Sequence, residues 1–276
     1  MRKILATTFF TAVLFSSIAQ DSLSGKKKGH FYGSWGYTRA IYSKSDIHLK
    51  DLSGNYHPAT GKNNYYDFKV LQATASDRPD FDRIPDIINI TIPQFVFRVG
   101  YYFSENSGIE MNYDHTKYVV NRGQRVHIVG QIDGIALDKD TTLSHDFLDF
   151  EHTDGANFWM INYLKKWKLH NGGKKIKAFV VVKPGGGIVF PRTDVRLFGE
   201  RLNNDWKISG VIAGVEAGFR VELFDACMFE IVSKGAYANY INAFVLGKGN
   251  GKASHSFYSG QLTATLGFII NYNKKK

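Results

Sequence analysis

The last stretch of the chain, Phe257 to Asn273, alternates with period two. Tyr258, Gly260, Leu262, Ala264, Leu266, Phe268, Ile270 and Tyr272 form one face. Ser259, Gln261, Thr263, Thr265, Gly267, Ile269 and Asn271 form the other. This period is a β-strand signal. The wet face of a soluble sandwich strand is usually charged, yet no charge appears here until Lys274. Apolar residues on one side, neutral polar ones on the other and tyrosine at both ends describe a strand that crosses a bilayer, apolar toward lipid and polar toward a lumen. Lipid offers an unpaired sheet edge no water, so the rest of the chain must supply similar strands and close the sheet. The expected fold is all-β: a transmembrane up-and-down antiparallel β-barrel.

The N-terminus reads as an export signal spanning 1–19. Arg2 and Lys3 are followed by the apolar run Ile4 to Phe15, too short for a membrane helix, and by the small-residue site Ser17-Ile18-Ala19 before Gln20. No other stretch approaches the ~20 apolar residues that a membrane helix needs. The mean hydropathy of -0.24 is compatible with a barrel, whose polar lumen halves the apparent hydrophobicity of each strand. Cys227 is the single cysteine, so there is no intramolecular disulfide. The net charge of +10 raises the question of nucleic acid. Export and the lack of a recognition motif argue against it.

Strands are expected at His30 to Tyr42, Gln94 to Phe103, Ile109 to Val119, Asn157 to Leu169, Ile176 to Val182, Lys207 to Leu223, Met228 to Phe244 and the final stretch. Short turns alternate with long polar loops at about 43–92, 121–150, 190–205 and 247–254. The count is eight, or ten if Tyr65 to Ala75 crosses the membrane instead of extending the first strand beyond it. Pro184-Gly185-Gly186-Gly187 reads as a strand bend. Residues 20–276 form one barrel with no second domain. Val215, Phe219, Leu262, Leu266, Phe268 and Ile270 face lipid, and Tyr258, Tyr272, Trp159 and Trp167 sit at its interfaces.

Charges fall on the opposite faces of these strands: Arg98, Glu110, Asp114, Glu216, Arg220, Glu222, Glu230 and Lys234. An eight-stranded lumen has room only for side chains, and a buried charge needs a partner. These residues are expected to form an ion network that plugs the lumen, which argues against an open porin. Lys26 to Lys28, Lys165, Lys166, Lys168, Lys174, Lys175, Lys177 and Lys274 to Lys276 all fall at the short-turn end, where they suit lipid phosphates or a periplasmic partner.

Gly33-Ser34-Trp35-Gly36-Tyr37-Thr38-Arg39, Tyr42-Ser43-Lys44-Ser45-Asp46-Ile47-His48, Ala75-Ser76-Asp77-Arg78-Pro79 and Glu151-His152-Thr153-Asp154-Gly155 follow a signal sequence that ends before Gln20. With these segments the chain resembles small outer-membrane barrels of Bacteroidota-type bacteria, of the OmpA/OmpX-like up-and-down kind. The resemblance implies the fold and an outer-membrane location. It implies little about activity, because the fold hosts adhesins, anchors, assembly subunits and enzymes.

His152-Thr153-Asp154-Gly155 also resembles a distorted His-x-Ser-Asn-Gly motif of outer-membrane phospholipases and lipid A deacylases. That likeness implies His152 as a base with Asp154 as its orienting group, although no nucleophile is evident; Asp114 approaches the outer rim by its place on a strand. His115, His145, Asp146, Asp149 and His255 approach the same rim. Asp77, Asp80, Asp82 and Asp86, and separately Asp133, Asp138 and Asp140, are acidic enough for a cation, but a solvated loop explains them better. No cofactor and no metal is expected. The favoured function is a non-enzymatic structural or interaction component that presents its extracellular loops to a partner protein or ligand. A rim hydrolase of lipid A or phospholipid and a narrow solute channel are the alternatives. Expected partners are outer-membrane lipids and other outer-membrane or periplasmic proteins.

Overall fold

The computed structural model describes residues 29–54, 56–57, 62–63, 65–78, 94–152, 154–173, 175–246 and 251–270. The signal segment 1–19, Lys26 to Lys28, Asp80, Asp82, Asp86, Thr153, Lys174, Tyr272 and Lys274 to Lys276 lie outside the described residues.

Eight long strands form the membrane unit: β1 (His30–Tyr42), β2 (Phe95–Tyr102), β3 (Ser107–Asp114), β4 (Phe158–Asn171), β5 (Ile176–Val189), β6 (Gly210–Leu223), β7 (Cys227–Phe244) and β8 (Lys252–Ile270). Each pairs antiparallel with the next, and β8 returns to β1 with Phe31 opposite Ile270 and Tyr42 opposite Ser259. The ring has no free edge, as lipid requires.

Its polarity is inverted relative to a soluble protein. On β8, Leu262, Leu266, Phe268 and Ile270 are 58–69% exposed, while Gln261, Thr263 and Thr265 are buried. Trp35, Phe97, Ile109, Ile161, Val211, Val215 and Phe219 continue an exposed apolar belt around the ring. A contiguous surface of that kind is stable only against lipid. Trp159 packs on Tyr113 near the end of the belt opposite the short turns, Tyr258 pairs with Tyr237, and Trp167 is exposed toward the short-turn end. Among the described residues, no helix is long and apolar enough to cross a membrane.

At the other end, Tyr66–Ala73 lies outside the ring, consistent with eight strands and with its reading as an extension beyond the membrane rather than the ten-strand alternative. It pairs with Ser45–Asp51 and Arg125–Ile132, outside the ring. Its apolar face, Tyr66, Phe68 and Val70, is buried in protein rather than turned to lipid. The described parts of the long connections are largely strands rather than loops. One sheet joins Ser45–Asp51, Tyr66–Ala73, Arg125–Ile132 and Ile135–Thr142, and it grows from β8 through Lys252 to Ser254. A second joins Ala75–Ser76, Tyr118–Val120, Leu148–His152, Arg192–Leu197 and Glu200–Trp206. Ile47, Leu49, Phe68, Val70 and Ile128 from the first sheet share one buried cluster with Tyr118, Phe150, Val195 and Leu197 from the second. The cluster runs down to Phe158, Met160, Ile212, Tyr240 and Phe257 at the barrel mouth. Large side chains buried this fully contribute about 1.5–3 kcal/mol each, so the two sheets form a cap anchored on the barrel by packing. Asp77 adds a polar tie by accepting from the amide of Ala40 on β1 at 2.7 Å.

Candidate functional site

The lumen is filled by ion pairs. Lys183 on β5 sits among three carboxylates: Glu110 at 2.9 Å, Glu216 at 2.9 Å and Glu230 at 2.6 Å. Arg98 pairs with Glu216 at 3.0 Å and lies 3.6–3.7 Å from Asp114 and Glu110. Arg220 meets Glu230 at 2.6 Å and also contacts Tyr102. Lys234 bridges Asp114 and Glu216. Tyr32 donates to Glu110. Toward the short turns, Lys166 pairs with Glu222 at 2.6 Å, and its ammonium lies over the rings of Tyr102 and Phe179. All ten charged groups are buried.

Alternation places Arg98, Glu110, Asp114, Glu216, Arg220, Glu222, Glu230 and Lys234 in this lumen, but that set has three cations against five anions. Lys166 and Lys183 bring the two sides level. The lumen set read from the sequence leaves out both. Lys166 belongs to the lumen rather than to the basic short-turn face. β5 continues through Pro184 to Gly187, so Lys183 is inside a strand instead of at its end. The chain can pass there because a side chain on Gly185 would collide with Asn162, and glycine has none. Lys165, Lys168 and Lys177 do stay at the short-turn end, against Ser107, Glu105 and Asp225.

The rim residues are not assembled as a hydrolase. His152 and His255 point into the cap core, Nε2 to Nε2 at 3.1 Å, among Tyr118, Phe150, Tyr240 and Phe257. Both rings are buried, and burial lowers their pKa, that of His255 to about 3. Asp154 pairs with Arg192 at 2.6 Å instead of with His152, and Asp114 belongs to the lumen network. His115 bonds Asn157 at 2.9 Å, which holds the turn through the carbonyls of Asp154 and Gly155. Asp138 and Asp140 each engage a different nitrogen of His127 at 2.9 Å, so their oxygens do not converge on one ion. Among the described residues, no group of three or more His, Cys, Asp or Glu is placed to hold a metal.

The sequence reading did not single out the cleft on the outer face of the second cap sheet. It measures about 250 Å³, and four arginines stand around it: Arg78, Arg122, Arg196 and Arg201. Cross-strand register builds its floor. Asp149 lies opposite Arg196, Glu151 opposite Asp194, and Arg196 opposite Arg201. Arg78 pairs with Glu151 at 2.5 Å, Arg122 with Asp149 at 2.8 Å, and Arg201 grips Asp194 through two nitrogens. His145 also reaches Asp149, at 2.6 Å. The carboxylates are 5–16% exposed and the guanidinium side chains 32–59%. The anions thus form the base, and the cations form the rim.

No protein-family model and no curated protein matches the chain. Solved structures overlap it loosely. The outer membrane protein OprG from Pseudomonas aeruginosa is 13% identical over 90% of this chain and 98% of its own, with a TM-score of 0.38. Neisserial surface protein A is 12% identical over 88% and 99%, with a TM-score of 0.35. The attachment invasion locus protein Ail of Yersinia pestis is 8% identical over 88% and 100%, with a TM-score of 0.30. Overlaps this loose assign no activity. The barrel follows from the closed ring and its apolar belt.

Proposed function

We propose that the protein is a non-enzymatic barrel of the outer membrane, exported through its N-terminal signal, which holds a rigid β-built cap outside the cell for a partner protein or ligand. The observation that carries this reading is the core shared by the cap and the barrel mouth. A packed cap presents a fixed surface, whereas free loops would have to order on binding and lose affinity for it. The sealed lumen supports the same reading over a channel, since ten buried charges balance one another along it. The enclosure of His152 and His255 by aromatic rings gives the hydrolase alternative no geometric support.

Affinity purification of the intact protein in mild detergent is the direct test. Stable capture of a partner that is lost when the cap surface is altered supports presentation. A barrel that stays solitary, or one that conducts steadily in planar bilayers, counts against it. Lipid A mass spectrometry covers the enzyme, which predicts an acyl pattern that changes with the gene and with His152→Ala.

A further inference from the structure

The arginine cleft has the chemistry of an oxyanion site, and its position says which oxyanion. Each guanidinium carries five N–H donors in a planar fork suited to phosphoryl oxygens. The described contacts of Arg78 and Arg122 with the cleft floor use one nitrogen each, and those of Arg201 use two. Because the floor carboxylates hold the arginines in place, less side-chain entropy is lost when a ligand arrives. Four guanidinium groups stand over Asp149, Glu151 and Asp194, so the rim keeps a positive excess.

The cleft also lies at the right height. Arg39, outward-facing on β1 and paired across the seam with exposed Leu262, donates to the backbone carbonyl of Arg78 at 2.9 Å. The lower edge of the site therefore borders the top of the lipid belt, the depth of phosphorylated headgroups and their sugars. The walls are polar apart from Val119, Val120 and the buried Phe150, which leaves no apolar slot for an acyl chain or a base. The volume of about 250 Å³ falls just under the ~300–1,000 Å³ of drug-sized sites and suits a single ring.

We infer that this cleft binds the phosphoryl group of a phosphorylated saccharide, held by Arg78, Arg122, Arg196 and Arg201, with the sugar hydroxyls over the floor carboxylates. The inference rests on the reading of the cap as a presented surface and names what that surface takes. Such a group has two sources, a glycolipid of the outer leaflet or a soluble phosphosugar.

The test is calorimetric titration of the full-length protein in detergent with diphosphoryl lipid A and with N-acetylglucosamine 1-phosphate, each beside its dephosphorylated form. Phosphorylated probes should bind, and dephosphorylated ones should bind at least tenfold more weakly. Arg122→Gln and Arg201→Gln should each weaken phosphoryl binding about tenfold, the equivalent of about 1.4 kcal/mol. Arg125→Gln, on the hairpin outside the cleft, should leave it unchanged. Heat-modified gel migration checks that every variant is folded. Lipid A binding tenfold tighter than the soluble sugar assigns the membrane source, and equal affinities assign the soluble one. Equal binding of phosphorylated and dephosphorylated probes, or folded Arg122→Gln and Arg201→Gln proteins that bind like the parent, overturns the site. A cap that captures a protein partner yet ignores phosphosugars loses this site and keeps the presentation reading. A solitary, conducting barrel loses the presentation reading whatever the sugars do.

Discussion

Lys183→Met removes the cation at the centre of the lumen while roughly keeping its volume. Glu110, Glu216 and Glu230 each lie 2.6–2.9 Å from the Lys183 ammonium, and all three are buried. Their oxygens are then no more than about 6 Å apart, where two like charges repel by about 3 kcal/mol at an effective dielectric constant of 20. The barrel need not carry that whole cost, because a carboxylate can take up a proton. Protonation costs 1.36 kcal/mol for each pH unit above an ordinary value near 4.3. The penalty is therefore capped at about 4 kcal/mol at pH 7.5 and at about 1 kcal/mol at pH 5. The upper figure agrees with the roughly 3–5 kcal/mol lost when one partner of a buried pair is removed. The assay is reversible urea unfolding of parent and variant in thin-bilayer vesicles across this pH range. Lys183→Met should be strongly destabilised at pH 7.5, and the difference should shrink toward pH 5. Adding Glu110→Gln should restore most of the loss, since the other ion pairs of Glu110 are 3.6–3.7 Å long. A variant as stable as the parent at pH 7.5, or a loss that does not change with pH, would refute the dry, charge-balanced lumen.

Val215 sits between Val211 and Phe219 on the lipid face of β6, so Val215→Lys should cost about 2–4 kcal/mol in the same unfolding assay. The His152–His255 pair makes the cap acid-labile. Their folded pKa values lie below the unfolded 6.5, so the unfolded chain takes up protons first. Cap stability is intact above about pH 6.5 and falls as pH drops toward 3, by about 1.4 kcal/mol per unit for each histidine. Amide exchange of Ile47, Leu49 and Phe150 should accelerate over that range in the parent and stay flat in a His152→Phe, His255→Phe protein. Gly134 has φ 77° in the turn after Ile132, so Gly134→Val should cost about 1–2 kcal/mol. Proteolysis should then nick the 125–142 hairpin while the barrel keeps its parent unfolding midpoint.

The barrel was legible because lipid imposes one rule on every strand, and that rule has a period of two. The charge tally also held a usable signal. Three cations against five anions in a dry lumen calls for two more cations, and the inward parity set by Met160 and Asn162 on β4 points to Lys166. Lys183 was hidden by Pro184 and the glycines, which resemble a break. The ladder between β4 and β5 does lapse there, with no pairing between Asn162–Gly185 and Lys165–Val182, but the ladder to β6 runs through Pro184 opposite Val215. The cap was harder to read. Its strands are short and its composition polar, and only tertiary pairing makes them strands. Local signs were present even so: Ile47-x-Leu49, Tyr66-x-Phe68-x-Val70, and the Asp133-Gly134 pair, whose two positive φ angles make the turn between Arg125–Ile132 and Ile135–Thr142. The arginine cleft had no such sign. Arg78, Arg122, Arg196 and Arg201 are scattered along the chain and meet only through sheet register.

Buried ion pairs are weak evidence for stability, because desolvation offsets most of their attraction. Their distribution in this barrel points to another role. The ten lumen charges come from β2 through β7: Arg98 from β2, Glu110 and Asp114 from β3, Lys166 from β4, Lys183 from β5, Glu216, Arg220 and Glu222 from β6, and Glu230 and Lys234 from β7. The seam strands β1 and β8 line the lumen without ionic groups at membrane depth, using Tyr32, Ser34, Thr38, Gln261, Thr263 and Thr265, with Thr263 donating to Thr38 at 2.9 Å. Slipping any of β2 to β7 by one residue would turn its charges into lipid at about 2–4 kcal/mol for each cation near mid-depth, and slipping β1 or β8 would expose only neutral groups. The network thus penalises a register slip on β2 to β7 more than one at the β1–β8 seam. Replacing all ten charges with Met, Leu and Gln of matched volume should therefore preserve overall stability within a few kcal/mol while loosening register. Disulfide trapping between cysteines placed at Val215 and Gly235, opposite one another on β6 and β7, would report it. Efficient trapping at the native pair alone in the uncharged protein would show that side-chain alternation suffices to set register and that the ions serve another end.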